Sequence, residues 1–152
     1  MSKKSILFVC SHNSAQSQIA EGLINALYSD EFIAHSAGIY PSSVNPYIIK
    51  VMAEIGIDIS KHYSKSIDDF RGMEFDYVIT LCNDAKDFLF SSNARICLHK
   101  SFQDPSEYIN TKEIMLSAFR QTRDNIINWL NETFGSKTVS SNKKFWHINS
   151  FV

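Results

Sequence analysis

The chain has 152 residues, 44% of them hydrophobic and 12% aromatic, which suits one globular domain with a sizeable core. Its formal net charge of -1 lacks the basic excess of a nucleic-acid binder, and no apolar run is long enough to span a bilayer. Three cysteines without CxxC spacing and five scattered histidines argue against a disulfide scaffold and against a zinc site.

The N-terminus, Met1-Ser2-Lys3-Lys4, leads into too few apolar residues for a signal-peptide core, so a cytoplasmic protein is expected. Residues 5–10 read as a fully buried strand and residues 15–29 as a helix, with Ile19, Ala20, Leu23, Ile24 and Leu27 at three- and four-residue spacing. A second strand over 32–37 is closed by Gly38 and Pro41. Residues 44–55 form a helix: Asn45-Pro46 suits its first turn, Ile48, Val51, Met52 and Ile55 share a face, and Gly56 is its stop. A short helix over 67–70 precedes a buried strand over 75–81, and another short helix covers 84–90. Residues 95–99 are the fourth strand, with Cys97 expected at a buried position. Thr111 caps a last helix over 112–134, with Ile114, Ala118, Thr122, Ile126, Leu130 and Phe134 on one stripe, and Gly135 ends it.

Strands alternating with helices imply an α/β fold with a parallel sheet and right-handed crossovers. Ligands then bind beyond the carboxyl ends of the strands, where the strand order reverses. The loops at Cys10, Cys82 and Asp104 each follow a strand end, so all three are placed for one rim. The expected division is a domain over residues 1–135 and a C-terminal tail over 136–152, polar at first and apolar at Phe145-Trp146-His147-Ile148. The tail reads either as a loosely ordered extension or as a segment that docks on its own domain or on a second copy.

Cys10 stands between a buried strand and a helix start. The first N–H groups of a helix are unpaired, and their partial positive charge favours both a thiolate and an oxyanion held beside it. A low-pKa nucleophile is therefore expected, against the plainer reading of a structural cysteine at a strand end. Six residues on, where a bidentate arginine would clamp an oxyanion, stands Gln16. Its neutral amide leaves three readings: a degenerate active site, an engineered or accidental substitution, or compensation by another cation, with His12, Lys65 and Lys100 as candidates. Cys82 reads as a second thiol on the rim or as a small core residue. Asp104, in an Asp-Pro turn, reads as a general acid only in company with the rest.

The run from Cys10 to Gly22, Cys-Ser-His-Asn-Ser-Ala-Gln-Ser-Gln-Ile-Ala-Glu-Gly, resembles the active-site loop of thioredoxin-coupled arsenate reductases. These share a fold with low-molecular-weight protein tyrosine phosphatases. Further blocks agree in order: Ser36-Ala37-Gly38 with Val44-Asn45-Pro46, then Glu54 to Ser60, then Val78-Ile79-Thr80-Leu81-Cys82, then Ser101-Phe102-Gln103-Asp104-Pro105. The resemblance covers about residues 5–134. It implies a three-layer α/β/α architecture around a four-stranded parallel sheet. It implies an oxyanion loop of Ser11, His12, Asn13, Ser14, Ala15 and Gln16, with Cys10 as nucleophile, Ser17 bonded to its thiolate and Asn13 holding the loop. Asp104 would protonate the leaving oxygen. Cys82 would attack Cys10 and form a disulfide as arsenite leaves, and thioredoxin, glutaredoxin or a low-molecular-weight thiol would reduce it.

The sequence departs from that pattern at three positions. Gln16 replaces the arginine, and Leu89 replaces the third cysteine, seven residues after Cys82. Lys65 replaces an acid of the family's potassium site, whose other ligands are matched by Asn13, Glu21 and Ser36. No resident cofactor is expected; the monovalent cation would be retained there, or its place taken by Lys65 paired with Glu21. The expected function is arsenate reduction weakened by Gln16. The alternatives are a phosphatase with Cys82 idle and a catalytically impaired oxyanion-binding relic. Ala15, where the phosphatases carry a second loop cysteine, and the absence of paired aromatic residues in Ser106-Glu107-Tyr108 favour the reductase branch.

Overall fold

The computed structural model describes residues 2–91, 94–107 and 109–137. Lys4–Cys10 forms strand β1, Phe32–Gly38 β2, Phe75–Thr80 β3 and Ala94–His99 β4. All pair in parallel, in the order β2-β1-β3-β4. The chain moves outward from β1 to β2, then crosses back to place β3 on the other side of β1. The order therefore reverses between β1 and β3, and a crevice opens at their carboxyl ends.

Helix α1 (Gln16–Leu27), α2 (Pro46–Glu54) and α3 (Lys112–Phe134) share one core with Ile6, Phe8, Ala34 and Ile79 of the sheet. The other face of the sheet presents Leu7, Val9, Phe75 and Val78. It is covered by 3₁₀ helices at Ile67–Phe70 and Asn83–Ser91. The fold is thus three-layered, with regular α-helix in one outer layer. The caps follow the local chemistry. Asn45 accepts from Tyr47 N–H at 2.8 Å ahead of Pro46, Thr111 accepts from Ile114 N–H at 3.4 Å, and Gly56 takes φ 81° after α2. Tyr28, at the end of α1, directs its hydroxyl to Asn131 and to the carbonyl of Gly135, at 2.7 and 2.8 Å. Burial pushes its pKa up to about 12. Phe32, Phe134 and Tyr77 complete an aromatic cluster there.

Two expectations are corrected. Ile114 is 52% exposed, and the buried face of α3 runs instead through Met115, Phe119, Thr122, Ile126 and Leu130. The first turn of α3 overhangs the core, which leaves its apolar residue half exposed. Cys97 is exposed, because β4 is an edge strand with most of its side chains accessible. Arg123, fully buried on α3, donates to Glu54 at 3.1 Å, Asp124 at 2.9 Å and the Val51 carbonyl at 2.7 Å. Paired with Arg120 as well, Glu54 is held below the usual carboxylate range, whereas burial raises Asp124. This cluster fastens α3 to α2. No helix among the described residues is long and apolar enough to cross a membrane. The tail lies outside the described residues from position 138 onward.

Candidate active site

The register of the sheet brings the two rim cysteines together. Val9 pairs with Thr80 and Leu81 N–H donates to the Val9 carbonyl at 2.9 Å, so Cys82 sits one residue beyond the position opposite Cys10 on the neighbouring strand. The segment after β4 folds over the end of β3 through Lys100 N–H to Thr80 and Phe102 N–H to Leu81, at 3.0 and 2.9 Å. That turn carries Asp104 to the same rim. Ser11, His12, Gln16, Cys82, Asp84 and Asp104 line one cavity of about 540 Å³. The three elements expected to converge do so.

The loop between β1 and α1 is held from behind. Asn13 has φ 52°, a left-handed conformation that asparagine tolerates. Its Oδ1 accepts from Lys65 N–H at 2.8 Å and from Gln18 Nε2 at 2.9 Å. That fixes the amide so that Nδ2 donates to Ser17 Oγ at 2.7 Å. The Ser17 hydroxyl proton is then directed at Cys10 Sγ, 2.8 Å away. Gln18, fully buried, also accepts from His62 Nδ1 at 2.9 Å. Alongside, Ile39, Tyr40, Ser42 and Asn45 N–H groups bond the carbonyls of Cys10, Ser11, His12 and Ser14. Gly38 is required where β2 ends: a Cβ there would lie 2.7 Å from Asn13 N and 2.8 Å from the His12 carbonyl carbon.

Cys10 is 1% exposed beneath this loop. Burial pushes its thiol up, and the bonds from the Ser17 hydroxyl and the Ser17 and Asn13 N–H groups only partly oppose that. The expected low-pKa thiol is therefore corrected. The enclosure that protects the sulfur also removes water from its anion, and Gln16 supplies no charge. Ala15 stands at the N-cap of α1 with no side-chain cap, which leaves the helix N–H groups to an oxyanion.

In front, Gln16 Nε2 donates to the Phe102 carbonyl at 3.1 Å, so its amide ties α1 to the Asp104 turn. Of the three candidate compensating cations, His12 lines the cavity, with Nδ1 donating to the Tyr40 carbonyl at 2.9 Å. Lys65 lies behind the loop, its Nζ 3.5 Å from Glu21 Oε1 and 3.1 Å from the Tyr63 carbonyl. Lys100 borders a separate hollow with Trp129 and Glu132. Three contributors escaped the sequence reading. Ser106 donates to Asp104 Oδ1 through N–H and hydroxyl at 2.9 and 2.6 Å, an Asx turn that Asp104-Pro105-Ser106 foreshadows. Asp84 accepts from Ser11 Oγ at 3.1 Å, and the same Oγ lies 3.3 Å from Cys82 Sγ. Gln18 immediately precedes the apolar Ile19-Ala20 of α1, and a fully buried amide there must bond something specific. The side chain of Leu89 lies outside the described residues.

The family model of low molecular weight phosphotyrosine protein phosphatases matches residues 5–143. An arsenate reductase of Halalkalibacterium halodurans is 41% identical over 127 residues, covering 83% of this chain and 91% of its own. That of Bacillus subtilis is 39% identical over 133 residues, 87% and 96% of the two chains. Among solved structures, an arsenate reductase in the oxidized state aligns with a TM-score of 0.72 at 30% identity, over 85% of this chain and 95% of that one. A low molecular weight protein tyrosine phosphatase from T. tengcongensis aligns at 0.66 and 27% identity, over 87% and 100%. Cysteine loop, parallel sheet and sequence thus agree: the chain belongs to the low molecular weight phosphotyrosine protein phosphatase family.

Proposed function

We propose that this chain is an arsenate reductase, on the observation that a second thiol, Cys82, lines the cavity at the strand end beside Cys10. A phosphatase needs the nucleophile and the acid; it has no use for the second thiol. In the proposed reaction Cys10 thiolate attacks arsenic and an oxygen leaves as water, protonated by Asp104. Cys82 thiolate then attacks Cys10 Sγ. The S–S bond forms, the S–As bond breaks, and its electron pair stays on arsenic, which departs as arsenite. Ser11 offers a proton route: its hydroxyl, between Cys82 Sγ and Asp84, accepts from the thiol as it donates to the carboxylate. The oxyanion rests on the loop N–H groups and the uncapped start of α1, and Ser17 holds the thiolate. An external thiol reduces the disulfide, which suits a reducing compartment such as the cytoplasm.

The same reading extends to the cation. Glu21 accepts from Ser36 Oγ at 2.6 Å and faces Lys65 Nζ at 3.5 Å, with His62 Nδ1 at 3.5 Å from its other oxygen. An ammonium already neutralises the carboxylate, so these residues do not fit a bound monovalent cation and no step needs one.

Thiol-dependent arsenite release measured beside p-nitrophenyl phosphate hydrolysis tests the reading. Arsenite release that disappears in Cys82→Ser is expected. Ester hydrolysis that survives in that variant, without arsenite release in the parent, would establish the phosphatase alternative. Phosphate binding with neither activity would establish the oxyanion-binding relic.

A further inference from the structure

Resting on the reductase reading, we propose that the Cys10–Cys82 disulfide is opened at Cys82 by a small neutral or cationic monothiol, selected by the carboxylates of Asp84 and Asp104. Access sets the point of attack. Cys10 is 1% exposed, whereas Cys82 is partly exposed and lines the cavity. An incoming sulfur therefore meets Cys82 first. The Ser17 hydroxyl and the Asn13 and Ser17 N–H groups receive the departing Cys10 sulfur and offset part of the cost of its burial.

Charge sets the choice of thiol. Asp84 and Asp104 both line the cavity; its described lining holds no lysine or arginine, and its one histidine, His12, gives its Nδ1 proton to the Tyr40 carbonyl. Gln16 has removed the cation a relative would present, and Lys65 is bound to Glu21 behind the loop. An anionic thiol meets two like charges at close range; an aminothiol meets two opposite ones. At cavity separations each pair acts through mostly aqueous dielectric, which gives roughly three- to tenfold in rate per unit of thiol charge at low salt. The volume of about 540 Å³ admits a small molecule, and Leu89 provides no third thiol to carry the disulfide elsewhere.

The step balances. A first thiolate attacks Cys82 Sγ, forms a mixed disulfide there and releases Cys10 thiolate. A second attacks the thiol-derived sulfur, releases Cys82 thiolate and leaves as the symmetric disulfide. Two electrons come from the two monothiols, and their protons end on Cys10 and Cys82.

The test begins with full-length protein oxidised by arsenate or mild peroxide, with the Cys10–Cys82 disulfide mapped by peptide mass. If no such disulfide forms, the reductase reading falls, and this proposal with it. Once it forms, reduction is timed with cysteamine, 2-mercaptoethanol and 3-mercaptopropionate at equal thiolate concentration. The expected order is that order, with the spread collapsing in molar salt. Asp84→Asn and Asp104→Asn should each narrow the cysteamine-to-mercaptopropionate ratio, a quantity from which changes common to all thiols cancel. In Cys10→Ser, cystamine should leave its adduct on Cys82. Equal rates, a reversed order or a ratio indifferent to both variants overturns the charge selection while leaving the reductase reading intact. Reduction by thioredoxin far faster than by any small thiol overturns the choice of a small reductant.

Discussion

The two sides of the Cys10 loop are built differently. Behind it, Asn13, Ser17, Gln18, Lys65 and Ser64 form an interlocked hydrogen-bond network, largely buried, with a salt bridge between Lys65 and Glu21 at its edge. In front, an open cavity carries two carboxylates, one partly exposed thiol and a glutamine tied to Phe102. Buried networks of this kind fix geometry because each unmade bond would cost its full desolvation. The shape of the loop is therefore set from behind, and its charge from in front. One can change without the other, and Gln16 is such a change.

The sharpest way to separate the two sides is at the sulfur that lies between them. Cys10→Ser should abolish arsenite release, by about a thousandfold or more, while thermal stability stays close to the parent. A collapse in stability would mean that the sulfur holds the loop rather than acting in it. Gly38→Ala attacks the back. Its new Cβ would press on Asn13 and His12, at a cost of about 1–3 kcal/mol, or several degrees in Tm for a chain of this size. Phosphate binding should weaken in parallel. Unchanged phosphate affinity would show that the loop's shape survives a shift of its support.

Gln16→Arg alters the front alone. Turnover should rise at least about tenfold, from a charged bidentate clamp on the oxyanion. The midpoint of Cys10 alkylation by iodoacetamide should fall from its raised position as the guanidinium favours the thiolate. The parent, free of oxyanion, should lose stability as pH climbs from the ordinary thiol range towards the raised Cys10 value. There the unfolded chain has shed a proton that the native state retains. No gain in turnover would mean that the tie from Gln16 to Phe102 matters more than the missing charge. The smallest effect is expected at Lys65: thermal midpoints in potassium and in a bulky organic cation at equal ionic strength should coincide. A potassium-specific rise would mean that Glu21 still takes a free cation.

The sequence made the order of elements legible because its periodicities are clean and its punctuation is strong: Asn45-Pro46, Gly56, Thr111 and Gly135 stand at the ends they were expected to mark. Cys10, Cys82 and Asp104 were legible as rim residues because each lies at or just beyond a strand end. What escaped was set by tertiary context. Ile114 fits a helical stripe, yet the core ends one residue further on. Ile96-Cys97-Leu98 reads as buried, but an edge strand has a neighbour on one side only. The helix start favours a Cys10 thiolate, and only the folded loop reveals how completely the sulfur is enclosed. Asp84 acts through one hydrogen bond from Ser11 and Ser106 through two to Asp104, and no periodicity encodes them.

The pairing of β1 with β3 has a consequence for the newly made chain. Cys10 belongs to the first strand, but the neighbour that closes its crevice is Phe75–Thr80, and α3, which seals the core behind it, ends at Phe134. Synthesis proceeds from the N-terminus at several residues per second, so for many seconds the nucleophile travels as an open thiol on an unfinished sheet. Oxidants meet the sulfur most freely before β3 has paired with β1 and the loop that carries Asn13 and Ser17 has closed over it.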